Sequence, residues 1–153
     1  MKYLVTLNVN GDAYPVEIAP DRSLLSVVRT EIGLTGSKEG CDDSECGACM
    51  MLLDGEPVNA CSYLAVQADG REITTIEGLA EDDDLHPLQR AFLEQGGVQC
   101  GFCTPGMLIS ATALLRRKPN PTEEEVRLAL SGNLCRCTGY AGIVKAVLVT
   151  AGG

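Results

Sequence analysis

Cys100-Gly101-Phe102-Cys103, preceded by Gln99 and completed far downstream by Cys135-Arg136-Cys137, is the stretch around which the chain is organised. Four thiolates supplied by a Cys-x-x-Cys and a Cys-x-Cys unit make a soft-ligand site, the kind that selects iron–sulfur clusters or zinc. A second quartet, Cys41, Cys46, Cys49 and Cys61, lies upstream. The 8 cysteines of the chain are thereby used four and four, with none left over.

The two quartets occupy separate halves of a 153-residue chain, which predicts two units of roughly 75 residues each. Units that small build marginal cores and need a staple, and the composition supplies one for each half. Gly is abundant at 17, and Gly40, Gly47 and Gly101 stand directly beside cysteines, where the backbone must bend tightly around an inorganic centre. A formal charge of −9, with Arg116-Arg117-Lys118 as the only basic cluster, argues against nucleic-acid binding. The N-terminal run Met1-Lys2-Tyr3-Leu4-Val5-Thr6-Leu7-Asn8 develops no signal-type apolar core, and no stretch is apolar enough to enter a membrane. The expectation is a cytoplasmic chain whose cysteines are metal ligands rather than disulfides.

In the first half, Tyr3, Val5, Leu7 and Val9 alternate in the strand period, and Asn10-Gly11 signals a hairpin into a second strand around Tyr14 to Ile18. Asp21 or Ser23 caps a helix over about 23–32, with Leu24, Leu25, Val28 and Ile32 inward, and Gly33 stops it. Short strands near 49–54, 57–60 and 72–75 complete a small sheet holding one helix, a pattern that suits a β-grasp arrangement. Between helix and third strand, Cys41, Cys46 and Cys49 are spaced as in the plant-type ferredoxin loop, with Cys61 closing the set after the next hairpin. Glycines in such a loop let successive amide N–H groups turn toward the sulfurs and offset their charge. Structural zinc sites more often pair two Cys-x-x-Cys units.

Glu77 through Asp84 is a charged break that reads as a solvated linker, and His86 before Pro87 as a surface residue or helix cap. A single histidine excludes Rieske ligation within the chain. Beyond it the pattern is helical. One helix spans about 87–95, and a second opens at Thr104-Pro105, with Thr104 as cap, and runs to about 117. Thr122 and Glu125 form a capping box for a third helix through about Leu130, and a fourth, apolar almost all round, runs from about Tyr140 to Thr150. Cys-x-x-Cys and Cys-x-Cys do not by themselves name the metal, so zinc stays open for this half. Thioredoxin-like redox use lacks a βαβ context, and c-type haem attachment would need His where Thr104 stands. The expected fold is thus α+β: a ferredoxin-like domain over 1–78, a linker over 79–86 and a four-helix domain over 87–153.

Three segments together resemble a known family: Gly40-Cys41 through Cys49, Gln99-Cys100-Gly101-Phe102-Cys103-Thr104-Pro105-Gly106-Met107, and Gly132-Asn133-Leu134-Cys135-Arg136-Cys137-Thr138-Gly139-Tyr140. They look like the small iron–sulfur subunit of the molybdenum hydroxylases, the xanthine dehydrogenase and aldehyde oxidoreductase family. The resemblance implies two 2Fe–2S clusters, with Cys41, Cys46, Cys49 and Cys61 holding one and Cys100, Cys103, Cys135 and Cys137 the other. It implies a large subunit carrying molybdopterin cytosine dinucleotide or a related pterin, which Gln99 contacts and Cys137 approaches, and a medium subunit carrying FAD. Single electrons would pass between these partners, and the assembly allows a dimer of heterotrimers. The chain contributes electron transfer rather than catalysis, since it has no nucleophile–base pair and no phosphate loop. Ending at Gly153 suits a separate subunit. Met50-Met51, where relatives often carry Thr and a β-branched residue, read as core filling, and Ser44 replaces a frequent Gly. The alternatives are a freestanding two-cluster ferredoxin-type carrier and a zinc-stapled structural module. Purines, aldehydes, N-heterocycles, carbon monoxide and aromatic acyl-CoA thioesters all have enzymes of this type, so substrate and reaction direction stay open.

Overall fold

The computed structural model describes residues 1–152; Gly153, the last residue of the expected helical domain, lies outside them. The apolar alternation forms β1 (Tyr3–Val9), and Asn10 and Gly11 turn it back into β2 (Asp12–Ile18) with φ of 53° and 89°. Both angles are positive, as a two-residue hairpin turn requires. Asp54-Gly55 does the same between β3 (Met50–Leu53) and β4 (Glu56–Asn59). β5 (Glu72–Thr74) then inserts between the hairpins, parallel to β1 and antiparallel to β3, so the sheet order is β2-β1-β5-β3-β4.

The helix expected over 23–32 changes character partway. α1 (Leu24–Val27) is capped by Ser23, whose hydroxyl accepts the Ser26 N–H at 3.1 Å, and the chain then widens into a π-turn over Val28–Ile32. The N–H groups of Gly33 and Leu34 both return to the Val28 carbonyl, and Gly33 ends the helix with φ 85°. From this turn the Arg29 guanidinium donates to the carbonyls of Thr35 (2.8 Å) and Ser37 (2.6 Å), tethering the start of the cysteine loop.

Four helices follow: α2 (Pro87–Glu94), α3 (Thr104–Arg117), α4 (Glu123–Ala129) and α5 (Ala141–Ala151). They share a core built on Phe92, Met107, Ile109, Val126, Ile143 and Val147. Leu93 faces outward, at 60% exposure. The Thr122–Glu125 box forms in both directions, at 3.3 and 2.8 Å. Thr104 does not cap α3. Cys103 occupies the cap position with a helical backbone and no side-chain bond, and the Thr104 hydroxyl is buried without a partner.

The two halves share a wall. All four residues of β3 are buried: Met51 and Leu53 pack with Leu7, Leu24 and Val28, while Met50 and Leu52 pack with the helices. Side chains alternate across a strand, so a strand buried on both faces serves two cores at once. Both methionines therefore fill cores. Leu79, just past the sheet, is drawn into the helical core, and the acidic run at 81–84 stays exposed as a turn.

His86 is the cap of α2: its Nδ1 accepts the Leu88 N–H at 3.2 Å, while Gln89 Oε1 accepts the His86 N–H at 2.9 Å. Accepting at Nδ1 requires the neutral ring. Burial, then the nearby Arg116 charge, holds its pKa below the ordinary 6.5. A folded pKa below the unfolded one gives stability that is present above about pH 6.5 and lost as pH falls through the folded value. His86→Ala is expected to cost about 1 kcal/mol at neutral pH, and this difference from the parent should shrink on acidification, measured by thermal unfolding at several pH values.

Candidate metal centres

The first quartet sits on the loop from Gly40 to Cys49 plus Cys61 after β4. Asp42, Ser44 and Gly47 adopt φ of 64°, 68° and 73°, which coils the loop so that its amides face inward. The N–H groups of Asp43 and Cys46 point at Cys41 Sγ (3.5 and 3.4 Å), and Ala48 N–H at Cys46 Sγ (3.5 Å). The loop is closed by Lys38 N–H to the Ala48 carbonyl at 3.0 Å, and Asn59 Nδ2 braces the Ser44 carbonyl at 3.2 Å. Ser44, in the left-handed region, donates its hydroxyl to Ser62 beside Cys61, so this departure from Gly adds a hydrogen-bonded pair next to a thiol.

The second quartet comes from the bend before α3 and the loop before α5. Gly101, at φ 82°, turns the chain between Cys100 and Cys103. Thr138 holds Cys135 Sγ with both its N–H (3.4 Å) and its hydroxyl (3.0 Å), and the Tyr140 hydroxyl accepts the Cys135 N–H at 2.9 Å. The N-terminus of α3, a helix of 14 residues, adds partial positive charge at Cys103.

Within each quartet the thiols stand in adjacent pairs: Cys41 with Cys46, Cys49 with Cys61, Cys103 with Cys135 and Cys100 with Cys137. All eight are free thiols. Among the described residues no three His, Cys, Asp or Glu side chains converge on a point that one ion can share. Each quartet thus supplies four thiols, the soft donor set that iron–sulfur clusters and zinc both take. Burial pushes the Cys49 and Cys103 thiols up to about 12, so only a metal can take their protons near neutral pH. At Cys135 burial would also raise the value, but the Thr138 hydroxyl and amide outweigh it and bring the thiol down to about 7. Burial is likewise outweighed at Cys61, by Ser62 and the Ser44 backbone, leaving a lowered value.

The quartets are neighbours. A cavity of about 430 Å³ is lined by Cys46 from the first and by Cys100, Cys103 and Cys135 from the second. A larger cavity, about 630 Å³ among His86, Arg90 and Arg116, is lined by no cysteine. Cys49 and Cys61 are buried, whereas Cys100 and Cys137 are exposed, as is Gln99 beside them. Sequence reasoning missed Asn133 as a structural residue, although it lies inside the Gly132-to-Tyr140 motif. Only 3% exposed, it accepts the Ser110 hydroxyl at Oδ1 (2.8 Å) and donates from Nδ2 to the Gly47 carbonyl (3.2 Å).

Two family models match the chain: a 2Fe-2S iron-sulfur cluster binding domain over residues 7–80 and a 2Fe-2S binding domain over residues 75–148. The chain is 52% identical over 146 residues to the nicotinate dehydrogenase small FeS subunit of Eubacterium barkeri, covering 95% of this chain and 93% of that one. The quinoline 2-oxidoreductase structure from Pseudomonas putida superposes with a TM-score of 0.95 at 43% identity, over 98% of this chain and 93% of the matched one. Aldehyde oxidoreductase from Desulfovibrio desulfuricans matches with a TM-score of 0.93 at 44% identity, over 97% of this chain but 17% of that longer one. The chain therefore belongs to the small iron–sulfur subunits of the molybdenum hydroxylases, the xanthine dehydrogenase and aldehyde oxidoreductase family, with two 2Fe–2S-binding domains.

Proposed function

We propose that the chain is the electron-transfer subunit of a cytoplasmic, heteromeric, molybdopterin-dependent oxidoreductase. Cys41, Cys46, Cys49 and Cys61 hold one 2Fe–2S cluster within a ferredoxin-like domain over 1–78, and Cys100, Cys103, Cys135 and Cys137 hold the other within a helical domain over 87–153. Each cluster, when bound, takes up and releases one electron. The observation that carries this reading is the pairing of eight free thiols into two neighbouring quartets, one more deeply enclosed than the other.

The protein's own residues do the supporting work. Amides of Asp43, Cys46 and Ala48 and the Thr138 side chain hold negative charge on the sulfurs, while β3 and the helix core keep water from Cys49 and Cys103. Gln99 and Cys137, exposed at one end, face the molybdopterin of a large subunit, and the enclosed quartet serves the FAD of a medium subunit. Substrate chemistry takes place on the large subunit. Relatives named for nicotinate and for an aldehyde lie at 52% and 44% identity, as expected of one electron module shared by enzymes whose substrate is chosen on another chain.

Metal analysis of the complex purified through a tag on this chain tests the reading: about four iron atoms and one molybdenum are expected per copy. Iron without molybdenum would indicate a freestanding carrier, and zinc in place of iron would sink the redox role altogether.

A further inference from the structure

Charge is divided unevenly along the chain. Residues 1–86 carry five Lys and Arg against seventeen Asp and Glu, whereas residues 87–153 carry seven against four. The cavity of about 630 Å³ lies in the basic half, where α2 begins and where α3 and α5 end. Arg116 and Cys103 stand at opposite ends of α3, about 20 Å apart along its axis, so this cavity is separate from the second quartet. Its walls are apolar, formed by Ala91, Leu115 and Val149, and Val149 is 47% exposed. Two exposed guanidiniums stand at the rim. Arg90 is fixed by donating to the Leu85 carbonyl at 3.0 Å, and Arg116 is close enough to add to burial in keeping His86 neutral. Neither arginine enters an ion pair among the described residues. Glu94 is the one carboxylate lining the cavity, and Glu81 is the acidic group within reach of His86. Thr112 also lines it; at 4% exposure, its hydroxyl has no hydrogen-bond partner within the chain. Thr in a helix has two χ1 rotamers open to it, so this hydroxyl is free to answer a polar group that enters.

Resting on the heteromeric reading above, we propose that this cleft docks a segment of the large partner subunit in which carboxylate and apolar side chains stand together. Carboxylates of the segment pair with the planar forks of Arg90 and Arg116, a geometry that guanidinium matches at two points. An apolar side chain beside them covers Leu115 and Val149 and keeps water from the ion pairs. The acidic sheet half repels such a segment, so the division of charge along the chain steers it to the helices. The helical half is also the one assigned above to the large subunit, which therefore grips both ends of the helices.

The test places p-benzoylphenylalanine at position 149 of the chain in the intact complex. On irradiation it should cross-link to the large subunit, at a peptide holding Asp or Glu next to Leu, Ile, Val or Phe. A cross-link to the medium subunit, to a second copy of this chain, or to nothing overturns the docking site. Titration of the large subunit with the full chain then measures the charge contribution. Arg116→Glu should raise the Kd by about tenfold or more at low salt, and its difference from the parent should shrink at high salt. Arg117→Glu makes the same change in charge one residue along, outside the cavity lining, and should shift the Kd by less than about threefold. Equal effects of the two variants would reduce the cleft to general electrostatics and overturn it, as would an unchanged Kd for Arg116→Glu. Iron content and Tm should match the parent in both variants. A parent chain that purifies with no molybdenum-bearing subunit overturns the heteromeric reading itself.

Discussion

Cys135→Ser is expected to cut turnover of the assembled complex by more than about 100-fold, beyond the effect typical of a residue that only supports a ligand. Iron should fall from about four atoms per chain to about two. Among the cysteines, Cys135 is the one whose thiol the fold brings down to about 7, through the Thr138 hydroxyl and amide. A serine hydroxyl placed there is a harder and far less acidic donor, poorly matched to iron that prefers thiolate. The loss spreads to its neighbour. Cys103, pushed up to about 12 by burial, keeps its proton once the metal that would remove it binds poorly. The sheet half keeps its own core around Leu7, Leu24, Met51 and Ile73, so the first cluster's visible circular dichroism should persist. Turnover with an external dye acceptor that matched the parent would refute the assigned role of the second quartet.

The second large effect concerns the seam between the halves. Replacing a helical glycine by alanine normally stabilises a helix by about 1 kcal/mol. Gly106→Ala in α3 should do the reverse, because the added Cβ would stand 2.1 Å from the Gly47 carbonyl oxygen. That neighbour is backbone of the first cysteine loop and cannot swing aside. Overpacking of this kind costs about 1–3 kcal/mol or more, and a chain of this size loses about 2–4 °C of Tm per kcal/mol. The expected drop is therefore about 2–12 °C in the loaded protein. Gly132→Ala is the control, since a Cβ there meets nothing within 4 Å and the φ is ordinary. A Tm for Gly106→Ala at or above that of the parent would show that the loop and α3 are not in this contact.

The elements most legible in the sequence are those specified by residues close together in the chain. Asn10-Gly11 and Asp54-Gly55 appear as positive-φ turns, Ser23 caps α1, Gly33 stops it, and Thr122 with Glu125 closes both halves of a capping box. Short-range sterics and local hydrogen bonds determine such features, so local spacing reports them. Thr104 followed by proline has the pattern of a cap, yet it lies in the first turn because Cys103 before it already has helical backbone angles. The π-turn after α1 escaped notice because a periodicity of 3.6 does not register one widened turn.

By itself the sequence determined the donor set, eight thiols in two spacings, and the local turns that bend each loop. Tertiary structure alone decided which half of β3 faces which core, why Met50 and Met51 point to opposite sides, and that Asn133 reaches Gly47. It also decided the uneven enclosure of the two quartets, with Cys49 and Cys61 buried and Cys100 and Cys137 exposed. The physical reason is separation along the chain. Burial and the hydrogen bond from the Leu134 amide to the Cys46 carbonyl depend on which distant surfaces meet, and no periodicity within one segment encodes its neighbour across the seam.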